Sequence, residues 1–164
     1  LMSAGHMASL AKEAKIPMGL RSLSTMGAAE EDALAAMLMA LPHLGPEALL
    51  HEIGCWTGEN LARTLSLADS TGKTPAAAVG TDINLMALNM AEIAFHYLRA
   101  SPSIHLCLGN ATAPANLSFL GARDAKVVRI GLRVIPVLER EDALRMLKTL
   151  RDSIQTPDTV LVLS

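Results

Sequence analysis

The stretch Leu49 to Gly58, LLHEIGCWTG, constrains the chain more than any other. Leu49, Leu50 and Ile53 supply the apolar part of a buried strand. Gly54 and Gly58 supply a turn with no Cβ to obstruct it. From Glu59 the spacing of Leu61, Ala62, Leu65 and Ala68 is helical. A strand that runs through a glycine turn into a helix is the layout of a nucleotide or cofactor cradle at the carboxyl end of a strand.

The rest of the chain repeats that alternation. Ala28 to Leu41 predicts a helix with Glu30, Glu31 and Asp32 in its first turns, and with Leu34, Met37, Leu38 and Leu41 as its apolar face. Pro42 ends it. After the cradle, Ala76 to Thr81 predicts a second strand, Leu85 to Leu98 a helix packing through Leu88, Ala91 and Phe95, and Ile104 to Leu108 a third strand. Asn116 to Leu120 reads as a short helix or irregular crossover. Ala125 to Ile130 is the best β-former and the fourth strand. Leu138 to Leu150 is an amphipathic helix, and Thr159 to Leu163 is the fifth strand. Nearly continuous apolar strands separated by helices indicate an α/β fold with a mostly parallel, Rossmann-like sheet covered on both faces. Right-handed crossovers then bring the carboxyl ends of the strands to one edge. Residues 1–27, interrupted by Pro17, read as a flexible leader or partial lid ahead of one domain spanning 28–164.

That shared edge gathers the polar candidates. Asp82 lies where a strand ends and a helix begins, a good place for a carboxylate to accept both hydroxyls of a ribose. Asn110 follows the third strand and is read both as a turn-stabilising residue and as a ligand contact. Arg129 and Arg133, near the end of the fourth strand, are read as solvated charge at an edge, with an anion or substrate contact as the alternative.

Composition excludes several classes. With 14 Lys and Arg against 16 Asp and Glu, a formal charge of -2 gives no general attraction to nucleic acid or an anionic membrane. Two cysteines, Cys55 and Cys107, are too few for a disulfide framework and lack zinc-site clustering, so a reducing cytoplasmic setting and no metal are expected. No apolar run reaches membrane-spanning length. The triplet Gly72-Lys73-Thr74 lacks the upstream glycine of a phosphate-binding loop and opens no helix.

EIGCWTG, followed by Asp82 and Asn110 at the ends of successive strands, resembles the class I S-adenosylmethionine-dependent methyltransferases, over roughly Ala28 to Ser164. The resemblance implies a methyl transferase whose cofactor is S-adenosylmethionine, held by Glu52, Gly54, Cys55, Trp56, Gly58, Asp82, Ile83, Asn110 and Ala111. Asp82 would hold the ribose diol and Asn110 would approach the adenine. Trp56 would either cover the cofactor or pack under the next helix, and Cys55 is expected to be inert. Arg129, Gly131 and Arg133 fall in the fourth-strand region that faces substrate in this family. No catalytic residue and no methyl acceptor can be assigned from the motifs.

The resemblance also implies further strands beyond the fifth, so the carboxyl-terminal strands of the family fold are expected to be absent from this sequence, or supplied by a missing segment or a protein partner. Two other functions share the layout. A nicotinamide-dependent dehydrogenase is disfavoured because EIGCWTG is not a full GxGxxG. A methyltransferase-like structural or regulatory domain is the non-enzymatic alternative, favoured by the lack of an Asp, Glu, His or Tyr constellation in GLRVIP from Gly131 to Pro136.

Overall fold

The computed structural model describes residues 29–98, 102–113, 126–132, 138–153 and 159–163. The expected leader, the crossover at Asn116 to Leu120 and Arg133 lie outside these. The elements in chain order are α1 (Ala29–Ala40), a short 3-10 turn (Leu41–His43), β1 (Ala48–Ile53), α2 (Glu59–Ser70), β2 (Ala77–Asp82), α3 (Leu85–Leu98), β3 (Ser103–Leu108), β4 (Lys126–Gly131), α4 (Arg140–Ser153) and β5 (Thr159–Leu163).

All five strands are parallel, in the order β3-β2-β1-β4-β5. Every residue of β1 and β2 is buried, as expected for central strands covered on both faces. The chain steps outward from β1 to β2 and β3, then crosses back to β4 on the other side of β1. That reversal opens a crevice beyond the carboxyl ends of β1, β2 and β4.

One face of the sheet packs Leu50, Ala78, Val128, Ile130 and Val162 against α1, α2 and α3. α2 buries Leu61, Thr64, Leu65 and Ala68, a stripe at the spacing of one helix face. α3 buries Ala87, Leu88, Ala91 and Phe95. The opposite face packs Ile53 against Ala143, Leu144, Met146, Leu147 and Leu150 of α4, with Leu161 and Leu163 at its margin.

Helix α1 departs from expectation. Its buried face is Ala33, Ala36, Met37 and Ala40, while Leu34 and Leu38 are about half exposed, at 53% and 50%. Three alanines let the helix axis approach the sheet closely, and that close approach outweighs the larger apolar payload of the leucines.

Gly58 links the cradle to the core. It sits at φ 77 as the residue before α2. A Cβ built there would lie 2.6 Å from Phe95 Cε2 and 3.2 Å from Ala91 Cβ. Gly58→Ala therefore combines a left-handed backbone with a clash against a buried ring. A loss of about 2–4 kcal/mol is expected, read as a lower urea midpoint. An unchanged midpoint would refute the steric assignment.

Polar residues also enter the sheet interior. His51 and Arg129 are register partners on β1 and β4, and both are buried. Arg129 Nη1 donates to His51 Nδ1 at 2.7 Å. A guanidinium can only donate, so Nδ1 is the acceptor and Nε2 carries the proton. Nε2 then donates to Thr81 Oγ1 at 3.1 Å, and that hydroxyl donates to the Glu52 carbonyl at 3.4 Å. Burial, helped by the Arg129 charge, brings the His51 pKa down to about 3. Burial also lowers that of Arg129. The reading of Arg129 as solvated charge at an edge is thus corrected: the side chain spans the sheet interior, held by its bond to a histidine on the adjacent strand.

Candidate functional site

The sequence from Ile53 onward builds the site from backbone outward. Gly54, at φ 70, and Cys55 both donate their N–H to the Thr81 carbonyl, at 2.7 and 3.0 Å. Trp56 follows at φ 50, in the left-handed region. Its N–H donates to Asp82 Oδ2 at 2.8 Å. Gly58 N–H closes the turn on the Cys55 carbonyl at 2.7 Å. A left-handed bulky residue costs about 1–2 kcal/mol, and the bond to a buried carboxylate offsets this. The end of β2 therefore holds the loop after β1 in place.

Asp82 has a second tie. Its Oδ1 accepts the Asn84 N–H at 2.8 Å, and Asn84 Oδ1 in turn accepts the Ala87 N–H at 3.1 Å, capping α3. The Asp82 residue is only 8% exposed, yet it lines a cavity of about 670 Å³ at the carboxyl edge of the sheet. A carboxylate has about four acceptor positions. Two are spent on backbone, so two remain for a ligand.

The cavity wall includes Gly54, Cys55, Trp56, Ile83, Asn110 and Ala111 beside Asp82. Seven of the nine expected cofactor residues thus converge on one space. The other two stand behind it. Gly58 sets the turn, and Glu52 is wholly buried beneath the loop. Desolvation raises the Glu52 pKa well above its ordinary value of 4.5; the Leu61 N–H pulls it down and the charge of Asp82 adds to the rise. Its Oε2 has no hydrogen-bond partner.

Asn110 serves as the turn residue expected from one of its readings: Oδ1 accepts the Thr112 N–H at 2.9 Å and its hydroxyl at 3.0 Å. The oxygen alone makes these bonds, so the amide NH₂ takes no part in the turn. Trp56 is 59% exposed, which corrects the reading that packs it under the next helix. Burial, with Glu52 and Asp82 nearby, pushes the Cys55 thiol up to about 12, so it stays protonated and unreactive at neutral pH. Arg129 and Gly131 are buried in β4 and do not line the cavity.

Several lining residues were not singled out from the sequence: Ala33, Thr57, Glu59, Asn60, Arg63, Asn84, Gly109, Leu132 and Leu138. The signal for Glu59, Asn60 and Arg63 was present, because a helix that starts at a cradle directs its first turns towards whatever the cradle holds. Leu132 and Leu138 bring an apolar wall from beyond β4, which only the sheet order reveals. Among the described residues no group of three His, Cys, Asp or Glu side chains is arranged to hold a metal ion, and no helix is long and apolar enough to cross a membrane.

No protein-family model matches the chain, and no curated protein sequence matches it. Solved structures do. The chain is similar to a dimethyladenosine transferase from Plasmodium falciparum, with 14% identity and a TM-score of 0.54 over 79% of this chain and 39% of that one. It is similar to an rRNA methylase from Streptococcus thermophilus, with 13% identity and a TM-score of 0.54 over 79% of this chain and 69% of that one. It also resembles a SAM-dependent methyltransferase from Thiobacillus denitrificans, solved with S-adenosyl-L-homocysteine, with 14% identity and a TM-score of 0.51 over 87% and 51%. The chain spans about half or less of the length of the first and last of these. The strand order, the all-parallel sheet and these likenesses agree: the chain has the Rossmann-like fold of the class I methyltransferases.

Proposed function

We propose that the chain binds S-adenosylmethionine and transfers its methyl group to an acceptor still to be identified. The observation that carries this reading is Asp82, a nearly buried carboxylate with two acceptor positions left, facing a cavity at the carboxyl edge of a parallel sheet. The donor set fits the cofactor. Asp82 offers a diol acceptor, Ile83 beside it offers an apolar wall for a purine, and Asn110 offers an amide donor.

When bound, the cofactor supplies a methyl group already activated by its sulfonium. The residues of this chain would then have three tasks. Asp82 fixes the ribose and with it the direction of the methyl group. The loop from Gly54 to Gly58 bounds the cofactor on one side, its geometry set by Thr81 and Asp82 rather than by the ligand. Leu132 and Leu138 exclude water from the reacting centre. Arg129 and Gly131, buried off the cavity, fit a supporting role better than contact with an acceptor, and Arg133 stays a candidate on sequence grounds alone.

Among the described residues the lining includes no His, Lys or Tyr, and the Cys55 thiol is held protonated. That observation favours a second reading, a domain that binds the cofactor without transferring its methyl group. Calorimetry with S-adenosylmethionine, S-adenosylhomocysteine and NAD tests the first part of the proposal. Binding of the two sulfur nucleosides and none of NAD is expected; preference for NAD would replace the reading with a dehydrogenase. A methyl-transfer screen on small-molecule, protein and RNA acceptors then separates catalyst from binder.

A further inference from the structure

Helix α3 is apolar on the side it turns away from the core. Ala87, Leu88, Ala91 and Phe95 are buried, whereas Met86, Met90 and Ile93 are 75%, 60% and 60% exposed. Their spacing of four and then three residues puts them on one face, opposite the buried stripe. Ile83, just ahead of the Asn84 cap, is 72% exposed. An outer helix face in this fold does not require such a surface. α4, which covers the opposite face of the sheet, has seven Asp, Glu, Lys or Arg among its 14 residues, while α3 has one, Glu92, among 14. A helix apolar on all sides is normally a buried one.

The spacing of the exposed residues selects the shape that fits them. Ile83, Met86, Met90 and Ile93 follow steps of three, four and three residues, the narrow seam of paired helices rather than the broad face of a helix lying on a sheet. These steps read the same in both directions, so the seam matches an inverted copy of itself. With a two-fold axis between Met86 and Met90, Ile83 falls opposite Ile93 of the second copy, and Met86 opposite Met90 of the second copy. The flanking residues Asn89 and Ala94 carry no charge, and Ala94 is small enough for a close helix approach of about 8–10 Å. In this register Glu92 comes level with Asn84 of the second copy, beside the positive end of the helix that this residue caps. α3 has no Lys or Arg that would attract an anionic lipid surface instead.

We propose that the outer face of α3 docks a second copy of this chain as an antiparallel, two-fold symmetric helix pair. The same patch serves both subunits, so the contact closes at two chains and does not propagate into a filament. One helix per subunit is a small interface for a specific dimer, and association in the micromolar range is expected. Ile83 also lines the cavity, so Ile93 of the second copy lies against one edge of each cavity wall.

Sedimentation equilibrium on the full chain tests the pairing and its register. The wild type is expected to show a monomer–dimer equilibrium, and Met86→Lys and Met90→Glu each to associate at least tenfold more weakly. An equimolar mixture of the two variants should recover the dimer, because the new opposite charges then face each other across the two-fold axis. Leu38→Lys, which charges an exposed leucine of α1 outside the seam, should associate as the wild type does. Far-ultraviolet circular dichroism should be unchanged in all three, since each replaces an exposed side chain. A wild type that stays monomeric up to about 1 mM overturns the proposal. If that monomer sediments with phosphatidylcholine vesicles, the face belongs to a lipid surface instead. Assembly beyond two chains, equal weakening by Leu38→Lys, or a mixture that stays monomeric also overturns it.

Discussion

Asp82→Ala is expected to weaken S-adenosylhomocysteine binding by about two orders of magnitude, because it removes charge-assisted bonds worth roughly 1.5–3 kcal/mol each. The same substitution acts on the fold. Asp82 Oδ2 receives the Trp56 N–H and Oδ1 the Asn84 N–H, so its loss frees the left-handed turn and the entry to α3 together. A stability loss of about 1–3 kcal/mol is therefore expected alongside the binding loss. Asp82→Asn separates the two effects. Its single carbonyl oxygen can serve one backbone N–H, and its amide can no longer accept from a diol, so binding should fall nearly as far while stability falls less. Titration by calorimetry and urea unfolding on the same samples decide the matter. Unchanged affinity in Asp82→Ala would remove this residue from the site altogether.

The second large effect is the dependence of stability on pH, and two adjacent buried residues set its shape. His51 has an ordinary value of 6.5 and is brought down to about 3 in the folded chain. Its stabilising contribution is fully present above pH 6.5 and is lost as pH falls from there towards 3. Glu52 is raised well above 4.5. Its contribution is fully present below pH 4.5 and is lost as pH rises from there towards the folded value. Where the two ranges overlap, unfolding adds a proton to His51 and releases one from Glu52, so the two slopes oppose each other. On the acid side stability should fall as pH drops, and on the basic side it should fall as pH rises, each by up to about 1.4 kcal/mol per pH unit. Urea midpoints at pH 3.5, 5.5 and 8 are expected to peak at 5.5. Glu52→Gln should flatten the basic limb while leaving the acid limb. A basic limb unchanged in Glu52→Gln would show that some other group causes it.

The elements most visible in the sequence were those whose local pattern and tertiary role coincide. α3 is found at the expected Leu85–Leu98 and β5 at Thr159–Leu163, because an apolar stripe and a short β-branched run read the same way in isolation and in the fold. α1 was legible as a helix but not in its orientation. Leu34 and Leu38 are the larger hydrophobes, and only the closeness of the sheet makes Ala33, Ala36 and Ala40 the better buried face. The cradle behaved similarly. Glycines, Asp82 and Asn110 stand out because each marks a strand end. Leu132 and Leu138 do not, since their place at the cavity depends on β4 returning beside β1. Arg129 and His51 were hidden for another reason: a charge in an apolar strand reads as an edge, and nothing local announces that a histidine on the neighbouring strand accepts its hydrogen bond.

Trp56 is the one tryptophan of the 164 residues, and it stands half out of the cavity wall on the loop that Asp82 fastens. The protein consequently carries a built-in optical label at its candidate binding site. With a single indole, an emission change on adding a nucleoside reports from one known position, without dye, tag or competing background. Its quenching by acrylamide, before and after ligand, would read out directly how far the mouth of the cavity is covered.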